Sequence, residues 1–177
     1  MPLAFPKFHP DARALVKRYL TPALYEQLAP LKTGTGFTLA SAIQSGLENS
    51  DSHIGIYAGD AHSYSLFAPI LDPIIYAYHA VAKTAEHSPG LDEVTLAPLD
   101  PDKNFILSTR IRVARNLSGF CFPCHISSRD RTRVEALVSG AAKTLPRDLA
   151  GTYLAFKDLS PSQMQACILR KQAFPKG

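Results

Sequence analysis

Apolar residues recur every three or four positions through the first 80 residues, which is the period of an amphipathic helix. In residues 11–20, one helical face collects Ala12, Leu15, Val16 and Tyr19. In residues 37–49, the same spacing joins Leu39, Ile43 and Leu47. The pattern predicts a mostly helical N-terminal region.

Turn-forming residues divide this region into separate helices. Thr21 and Pro22 have the order of an N-cap and a first helical residue, so a second helix should begin there. Residues 50–65 are rich in Gly, Asp and Ser and are predicted to form a loop. The apolar stretch that follows is predicted to be a buried helix beginning near Pro69 or Pro73, because proline is tolerated in a first helical turn.

After residue 104 the period changes from helical to alternating. Residues 105–113 are predicted to form a strand with one face made of Phe105, Leu107, Thr109, Ile111 and Val113, and the other of Ile106, Ser108, Arg110 and Arg112. A helix capped at Ser127 or Ser128 should follow, with an inward face of Val134, Leu137, Val138 and Ala141. Residues 151–156 are a second predicted strand, and the capping-box spacing of residues 160–163 predicts another helix.

These elements predict an α+β chain with two domains. A small all-helical domain covers residues 1–80, and a polar linker rich in Pro and Asp covers residues 81–104. Residues 105–177 are the beginning of an α/β domain. Two strands and two helices do not complete such a domain, because one face of the sheet would lack a covering layer.

Composition limits the class of protein, the cellular compartment and the kinds of partner that are expected. The chain has 177 residues, of which 46% are hydrophobic and 19% charged, so it can build a core. No apolar run is long enough to span a bilayer, and the N-terminus does not resemble a signal peptide. With three cysteines, a reduced cytoplasmic protein is expected. The net charge of +4 favours anionic partners without choosing among them.

The predicted strand carries unusual charge for a buried element. Ser108, Arg110 and Arg112 should point the same way, and a hydroxyl beside two guanidinium groups suits the oxygens of a polyphosphate. The alternative is that these arginines form ion pairs on a solvated sheet face, and the pattern alone leaves both possibilities open.

Two stretches of sequence resemble one known family. "ILSTRIRVARNLSGFCFP" is similar to the nucleotide-binding entry strand of the phosphagen (ATP:guanido) kinases. "IQSGLENSDSHIGIYAGDAHSYSLFAPILDPIIYAYH" resembles the substrate-specificity loop of that family and the helix after it. Both lie in the family's order, with the linker between them.

The resemblance implies a fold and a reaction. The family has a small helical domain and a catalytic domain built on an antiparallel sheet, and it transfers the γ-phosphoryl group of MgATP reversibly to a guanidino nitrogen. Within this chain the implied ATP contacts are Ser108, Thr109, Arg110, Ile111 and Arg112. The implied guanidine loop, whose backbone amides hold a substrate carboxylate, consists of Ser52, His53, Ile54, Gly55, Ile56 and Tyr57. Mg²⁺ is expected to arrive with ATP, so no protein metal ligand is assigned.

Substrate choice in the family follows the loop and the next helix. The short loop and Tyr78 resemble arginine kinases, whereas His53 departs from their usual Gly and leaves taurocyamine or another guanidine open. The family's guanidinium-aligning acidic residues and reactive cysteine have no counterpart here, so no catalytic residue is assigned. The 177-residue chain alone is expected to have negligible kinase activity.

Several alternatives compete with this hypothesis. A non-catalytic fragment or truncated paralogue could bind guanidine or a partner kinase chain. Neither nucleic-acid binding nor membership of the bacterial protein-arginine kinases is favoured, and the oligomeric state stays open. Cys121 to His125 spell C-x-x-C-H, a haem or zinc pattern that could include Cys167, but the resemblance also accounts for it. Asp60 and Asp72 could be acid–base residues, although caps or ion-pair partners are the favoured interpretation.

Overall fold

The computed structural model describes residues 4–86, 97–106, 109 and 114–173. The chain divides into two compact units, Met1–Ser127 and Ser128–Gly177. In the described ranges, no helix is both long and apolar enough to cross a membrane.

The second and third helices begin and end close to where the sequence predicts them, whereas the first is shorter than the predicted residues 11–20 and does not include Ala12. Helix α1 (Leu15–Tyr19) is short, whereas α2 (Pro22–Leu28) and α3 (Leu39–Glu48) are both capped by threonine. The Thr21 side chain accepts from the Leu24 N–H at 3.2 Å, which confirms the predicted start of α2.

The next two helices correct the loop prediction. Residues 51–60 form a loop, but α4 (His62–Leu66) occupies most of the rest of the predicted loop. Helix α5 (Ala68–His79) has Pro69 in its first turn, as predicted, and accommodates Pro73 in its interior. It ends at Ala80, whose positive φ of 52° places it in the left-handed region.

The core of the first unit lies where these helices meet. Val16, Leu39 and Ile70 are fully buried at its centre, one each from α1, α3 and α5. Ile56 of the predicted guanidine loop belongs to the same cluster. Burying apolar side chains from every helix stabilises the short α1, which is too short to be stable alone.

The second unit contains α6 (Ser128–Ala142), a 3₁₀ turn (Phe156–Asp158) and α7 (Pro161–Leu169). The capping box predicted at α7 is confirmed, because the Ser160 hydroxyl accepts from the Gln163 N–H and the Gln163 side chain accepts from the Ser160 N–H. The predicted inward face of α6 is wrong. Leu137 and Val138 are about half exposed, and α6 has no buried residue.

The described residues contain no β-strand, so the antiparallel sheet is not supported. An isolated bridge joins Lys32 and Thr38. The strand predicted at 151–156 is wrong: residues 151–155 are irregular and a 3₁₀ turn begins at Phe156. A strand needs a partner for its backbone groups, and alternation alone does not supply one. Of the strand predicted at 105–113, residues 105, 106 and 109 are described and are not in a strand, and the others lie outside the described residues.

The compact units do not coincide with the predicted domain limits. Of the predicted linker, residues 81–86 and 97–104 are described and contain neither helix nor strand. Residues 114–127, predicted to belong to the second domain, fall within the first unit. The predicted helical domain (1–80), linker (81–104) and catalytic domain (105–177) stay a prediction.

Candidate guanidine loop and its supports

The predicted guanidine loop, residues 52–57, is fixed to α1 through its carbonyl groups. The Leu15 N–H donates to the His53 carbonyl at 2.9 Å, and the Val16 N–H donates to the Ile54 carbonyl at 3.1 Å. These are the first two N–H groups of α1, which have no acceptor within the helix and no side-chain cap. The loop thereby caps the helix, and the helix orients the loop.

Two glycines allow the loop to lie against α3. The Gly46 N–H donates to the Gly55 carbonyl at 3.0 Å. A Cβ on Gly46 would lie 2.7 Å from that carbonyl oxygen, and one on Gly55 would lie 2.7 Å from the Ala14 Cβ. Gly55 also has a φ of +73°, which L-residues with a side chain rarely adopt. Both positions therefore require glycine.

The N–H groups of the loop are used at its ends but not in its middle. The Ser52 N–H donates to the Asn49 carbonyl and the Tyr57 N–H to the Ala42 carbonyl. Within the part of the chain that the structure describes, four consecutive N–H groups have no acceptor: those of His53, Ile54, Gly55 and Ile56. Successive backbone N–H groups of this kind can bind an anion.

The side chains of the loop divide between the core and solvent. Ile56 is 5% exposed, whereas Tyr57 is 54% exposed. His53 is exposed and does not have a positive φ, so a side chain at this position causes no backbone strain. Tyr78, in the last turn of α5, is 56% exposed and touches His79 edge-on.

Asp60 follows the loop and is the centre of a buried hydrogen-bond network. Its carboxylate accepts from the hydroxyls of Thr33, at 2.6 Å, and of Thr35. It also accepts from the N–H and hydroxyl of Ser63, both at 2.8 Å. Burial alone would raise the pKa of Asp60, but these hydrogen bonds outweigh it and lower the pKa to about 2. Asp60 is therefore ionised and structural, as the cap interpretation predicts.

The other aspartate behaves differently. Asp72 is half-buried in α5 and forms no ion pair with any described residue. The predicted ion-pair role is therefore not observed for Asp72.

The predicted nucleotide residues fall almost entirely outside the described residues. Ser108, Arg110, Ile111 and Arg112 are among those not described, and Thr109 is exposed. Their assignment to ATP stays a prediction from the sequence.

The C-x-x-C-H segment packs against the residues that follow the guanidine loop. The Cys124 thiol donates to the Ala58 carbonyl at 3.1 Å, and its desolvation raises the pKa of Cys124. All three cysteines are free thiols. No cluster of three or more His, Cys, Asp or Glu side chains suited to a metal ion occurs among the described residues.

Comparison with known proteins identifies the family to which this chain is similar. The family model described as "ATP:guanido phosphotransferase, N-terminal domain" matches residues 10–76, which include the whole loop and its supports. An arginine kinase of Artemia franciscana is 43% identical over 171 residues, which are 94% of this chain and 48% of that protein. The chain belongs to the phosphagen (ATP:guanido) kinase family. It spans about half the length of that curated relative.

Two solved phosphagen kinases share the fold of this family member. A lombricine kinase superposes with a TM-score of 0.78 and 27% identity over 98% of this chain and 49% of that chain. The duplicated taurocyamine kinase of Schistosoma mansoni, with bound transition-state-analogue components, gives 0.77 and 34% over 93% of this chain and 24% of that chain.

The sequence did not predict all of the hydrogen-bond partners of Asp60, the residue that follows the predicted guanidine loop. Asp60 and Ser63 are three residues apart, a spacing typical of a helix cap, which could have predicted the start of α4. Thr33 and Thr35 lie far upstream, and nothing in their local sequence indicates that they hold Asp60.

Proposed function

We propose that this chain takes part in the reversible transfer of the γ-phosphoryl group of MgATP to a guanidino compound, with arginine the favoured substrate. Its own contribution is to bind the carboxylate of the substrate with the middle of the loop, residues 53–56. The observation that carries the proposal is the row of four N–H groups without an acceptor in the described chain.

The loop is suited to an anion because it is fixed before the ligand arrives. Its carbonyls at His53, Ile54 and Gly55 accept hydrogen bonds from α1 and α3, so they cannot turn toward a bound carboxylate. The buried side chain of Ile56 restrains the same stretch. A preorganised row of donors binds an anion without the cost of ordering a flexible loop.

The nucleotide half of the proposal rests on the sequence resemblance. Arg110 and Arg112 would bind phosphate oxygens, supported by Ser108 and the neighbouring residues Thr109 and Ile111. The resemblance implies that Mg²⁺ would come with ATP and be held mainly by phosphates and water. Phosphoryl transfer relies on such positioning and charge stabilisation.

The choice of arginine is supported by the loop and by the relatives. The loop is short, Tyr78 is exposed at the end of the next helix, and relatives at about 40% identity are arginine kinases. The solved structures named above are a lombricine kinase and a taurocyamine kinase. A preference for another guanidine would arise at His53, because arginine kinases usually have Gly at this position.

Calorimetric titration with arginine and with agmatine, which lacks the carboxylate, tests the proposal. We expect arginine to bind about tenfold or more tightly than agmatine, since each charge-assisted hydrogen bond contributes strongly. Gly55→Ala should abolish this preference, whereas Gly36→Ala should preserve it, because Gly36 also has a positive φ but lies in open space. Equal affinity for the two compounds would contradict the assignment.

A coupled ATP–arginine assay separates the enzyme from a non-catalytic binder. Turnover by a form of the protein that extends over the full length of its relatives is expected. Arginine binding without turnover in that longer form would instead favour a guanidine-binding paralogue.

A further inference from the structure

The C-x-x-C-H segment carries a pair of thiols that the proposed function does not use. The chain turns at Phe122, whose carbonyl accepts from the N–H groups of His125, at 2.8 Å, and Ile126, at 2.9 Å. Cys121 directly precedes this turn and Cys124 lies within it. Two thiols with this spacing are typical of a dithiol that can be oxidised to a disulfide.

The reduced form of Cys124 helps to attach this segment to the rest of the first unit. The Cys124 thiol donates to the Ala58 carbonyl at 3.1 Å. The Nε2 of His125 lies 3.2 Å from the Thr35 carbonyl, which can only accept, so Nε2 carries the proton. The His125 ring also packs at 5.0 Å on the ring of the buried Phe37. The segment is therefore held partly by a hydrogen that oxidation of Cys124 would remove.

The thiols of the chain differ in their readiness to react. Cys121 is half-buried, and within the described part of the chain no group hydrogen-bonds to its thiol. The pKa of Cys124 is raised, chiefly by desolvation and to a smaller extent by the charges of Asp60 and Cys121, so the two thiols lie within electrostatic range of each other. Cys167 is buried. Because the thiolate is the nucleophile, Cys121 should react first and Cys124 second.

A cavity beside Cys121 limits the kind of oxidant that can reach it. The cavity has a volume of about 260 Å³, and its wall includes Cys121 and Asp60. The Asp60 carboxylate is ionised, since its pKa is about 2. A negatively charged oxidant would be repelled by this wall, and a bulky one would not fit. A small neutral peroxide suits both the size and the charge of the cavity.

We propose that Cys121 and Cys124 form a reversible redox switch, in which hydrogen peroxide converts the two thiols into a disulfide. The Cys121 sulfur attacks the peroxide: an S–O bond forms, the O–O bond breaks and one water leaves. The Cys124 sulfur then attacks the Cys121 sulfur: the S–S bond forms, the S–O bond breaks and a second water leaves. The two sulfurs lose two electrons in total, which the peroxide gains, and both thiol protons leave in the waters. The proposal does not depend on the phosphotransfer function.

The disulfide would loosen one attachment and leave the guanidine loop in place. Once Cys124 is oxidised, it cannot donate to the Ala58 carbonyl, and this hydrogen bond is lost. The carbonyls of His53 and Ile54 accept from α1, and none of these bonds involves a cysteine. Oxidation should therefore release the C-x-x-C-H segment locally, without unfolding the first unit.

Peptide mapping of the 177-residue chain after treatment with hydrogen peroxide tests the chemistry. Trypsin releases residues 116–129, which contain Cys121 and Cys124 but not Cys167. We expect this peptide to lose the mass of two hydrogen atoms, to regain it with dithiothreitol, and Cys167 to remain a free thiol. Cys124→Ser should stop at a sulfenic acid on Cys121, which dimedone traps. Cys121→Ser should be oxidised about tenfold more slowly, whereas the control Cys167→Ser should form the disulfide as the wild type does.

Hydrogen exchange before and after oxidation tests the structural consequence. The Phe122 amide donates to the Gly59 carbonyl at 2.8 Å and should exchange about five- to tenfold faster in the oxidised wild type. Cys124→Ala lacks the thiol, so it should show the faster exchange already in reducing buffer and no further change with peroxide. The Gly46 amide, which donates to the Gly55 carbonyl, should not change.

Three results would overturn the switch. Oxidation that adds oxygen to residues 116–129 in the wild type without forming a disulfide would show that Cys124 does not reach Cys121. A disulfide with unchanged exchange at Phe122 would show that the hydrogen bond to Ala58 does not hold the segment. Equal acceleration at Phe122 and Gly46 would show that oxidation unfolds the whole unit rather than releasing one segment.

Discussion

The two compact units contain helices of comparable length but differ in how much apolar surface those helices bury. In the first unit, α3 and α5 each bury several side chains in one continuous cluster. In the second, α6 is the longest described helix and buries none, and Cys167 of α7 is the one buried hydrophobic residue among those described. An amphipathic period therefore specifies a helix, whereas burial depends on a partner surface.

The core offers the strongest test of this difference. Ile70→Ala in α5 should destabilise the first unit by about 2–5 kcal/mol, because Ile70 is fully buried. Leu137→Ala in α6 is the matched control and should change stability by less than about 0.5 kcal/mol, because Leu137 is 55% exposed. Urea unfolding followed by circular dichroism measures both. Similar losses would show that the two units are equally packed.

The predicted guanidine loop provides the next test, because backbone conformation and close backbone contacts, rather than side-chain burial, determine its stability. Gly55→Ala should cost about 3 kcal/mol, because a positive φ and a 2.7 Å approach to Ala14 act together. Gly36→Ala has a positive φ without a close contact and should cost about 1–2 kcal/mol. Thermal unfolding of the two variants separates the two effects. An equal loss of stability in the two variants would mean that the loop backbone shifts away from Ala14 and relieves the contact.

The stability of the first unit should fall at acidic pH, because Asp60 is buried there. Since its folded pKa of about 2 is below the ordinary 3.8, Asp60 adds stability above pH 4, which is lost as the pH falls toward 2. Asp60→Asn should therefore cost about 2 kcal/mol at pH 7 and progressively less below pH 4. Urea unfolding of the wild type and of Asp60→Asn at pH 7, 5 and 3 measures this trend. A constant cost for Asp60→Asn across these pH values would contradict the ionised network.

Helix caps should show the smallest effects and no difference between the units. Thr38→Ala in the first unit and Ser160→Ala in the second each remove a hydroxyl that accepts from a backbone N–H. Each should cost about 1 kcal/mol, because capping is local. Hydrogen exchange of the first turns of α3 and α7 reports each loss separately. A much larger effect at Ser160 would show that the second unit depends on its caps more than on packing.

The failed predictions share one physical origin. Alternation in residues 151–156 and the helical period of α6 are patterns of one segment, and they predicted a strand and a buried face that the described residues do not show. A strand or a buried face requires a second segment to pair with or to cover it. The segments whose predictions succeeded, such as α2 and α7, depend on contacts within a few residues.

The sequence by itself determined most of the helices, the caps at Thr21 and Ser160 and the family resemblance, because these depend on local spacing and on motifs. It also singled out the loop of residues 52–57. Tertiary structure decided which backbone groups of the loop are used, since Leu15, Val16 and Gly46 donate to its carbonyls and its middle amides have no acceptor among the described residues. It also decided that Asp60 is a structural anion and that His125 reaches back to Thr35. Such contacts join residues far apart in the chain, and no local pattern encodes them.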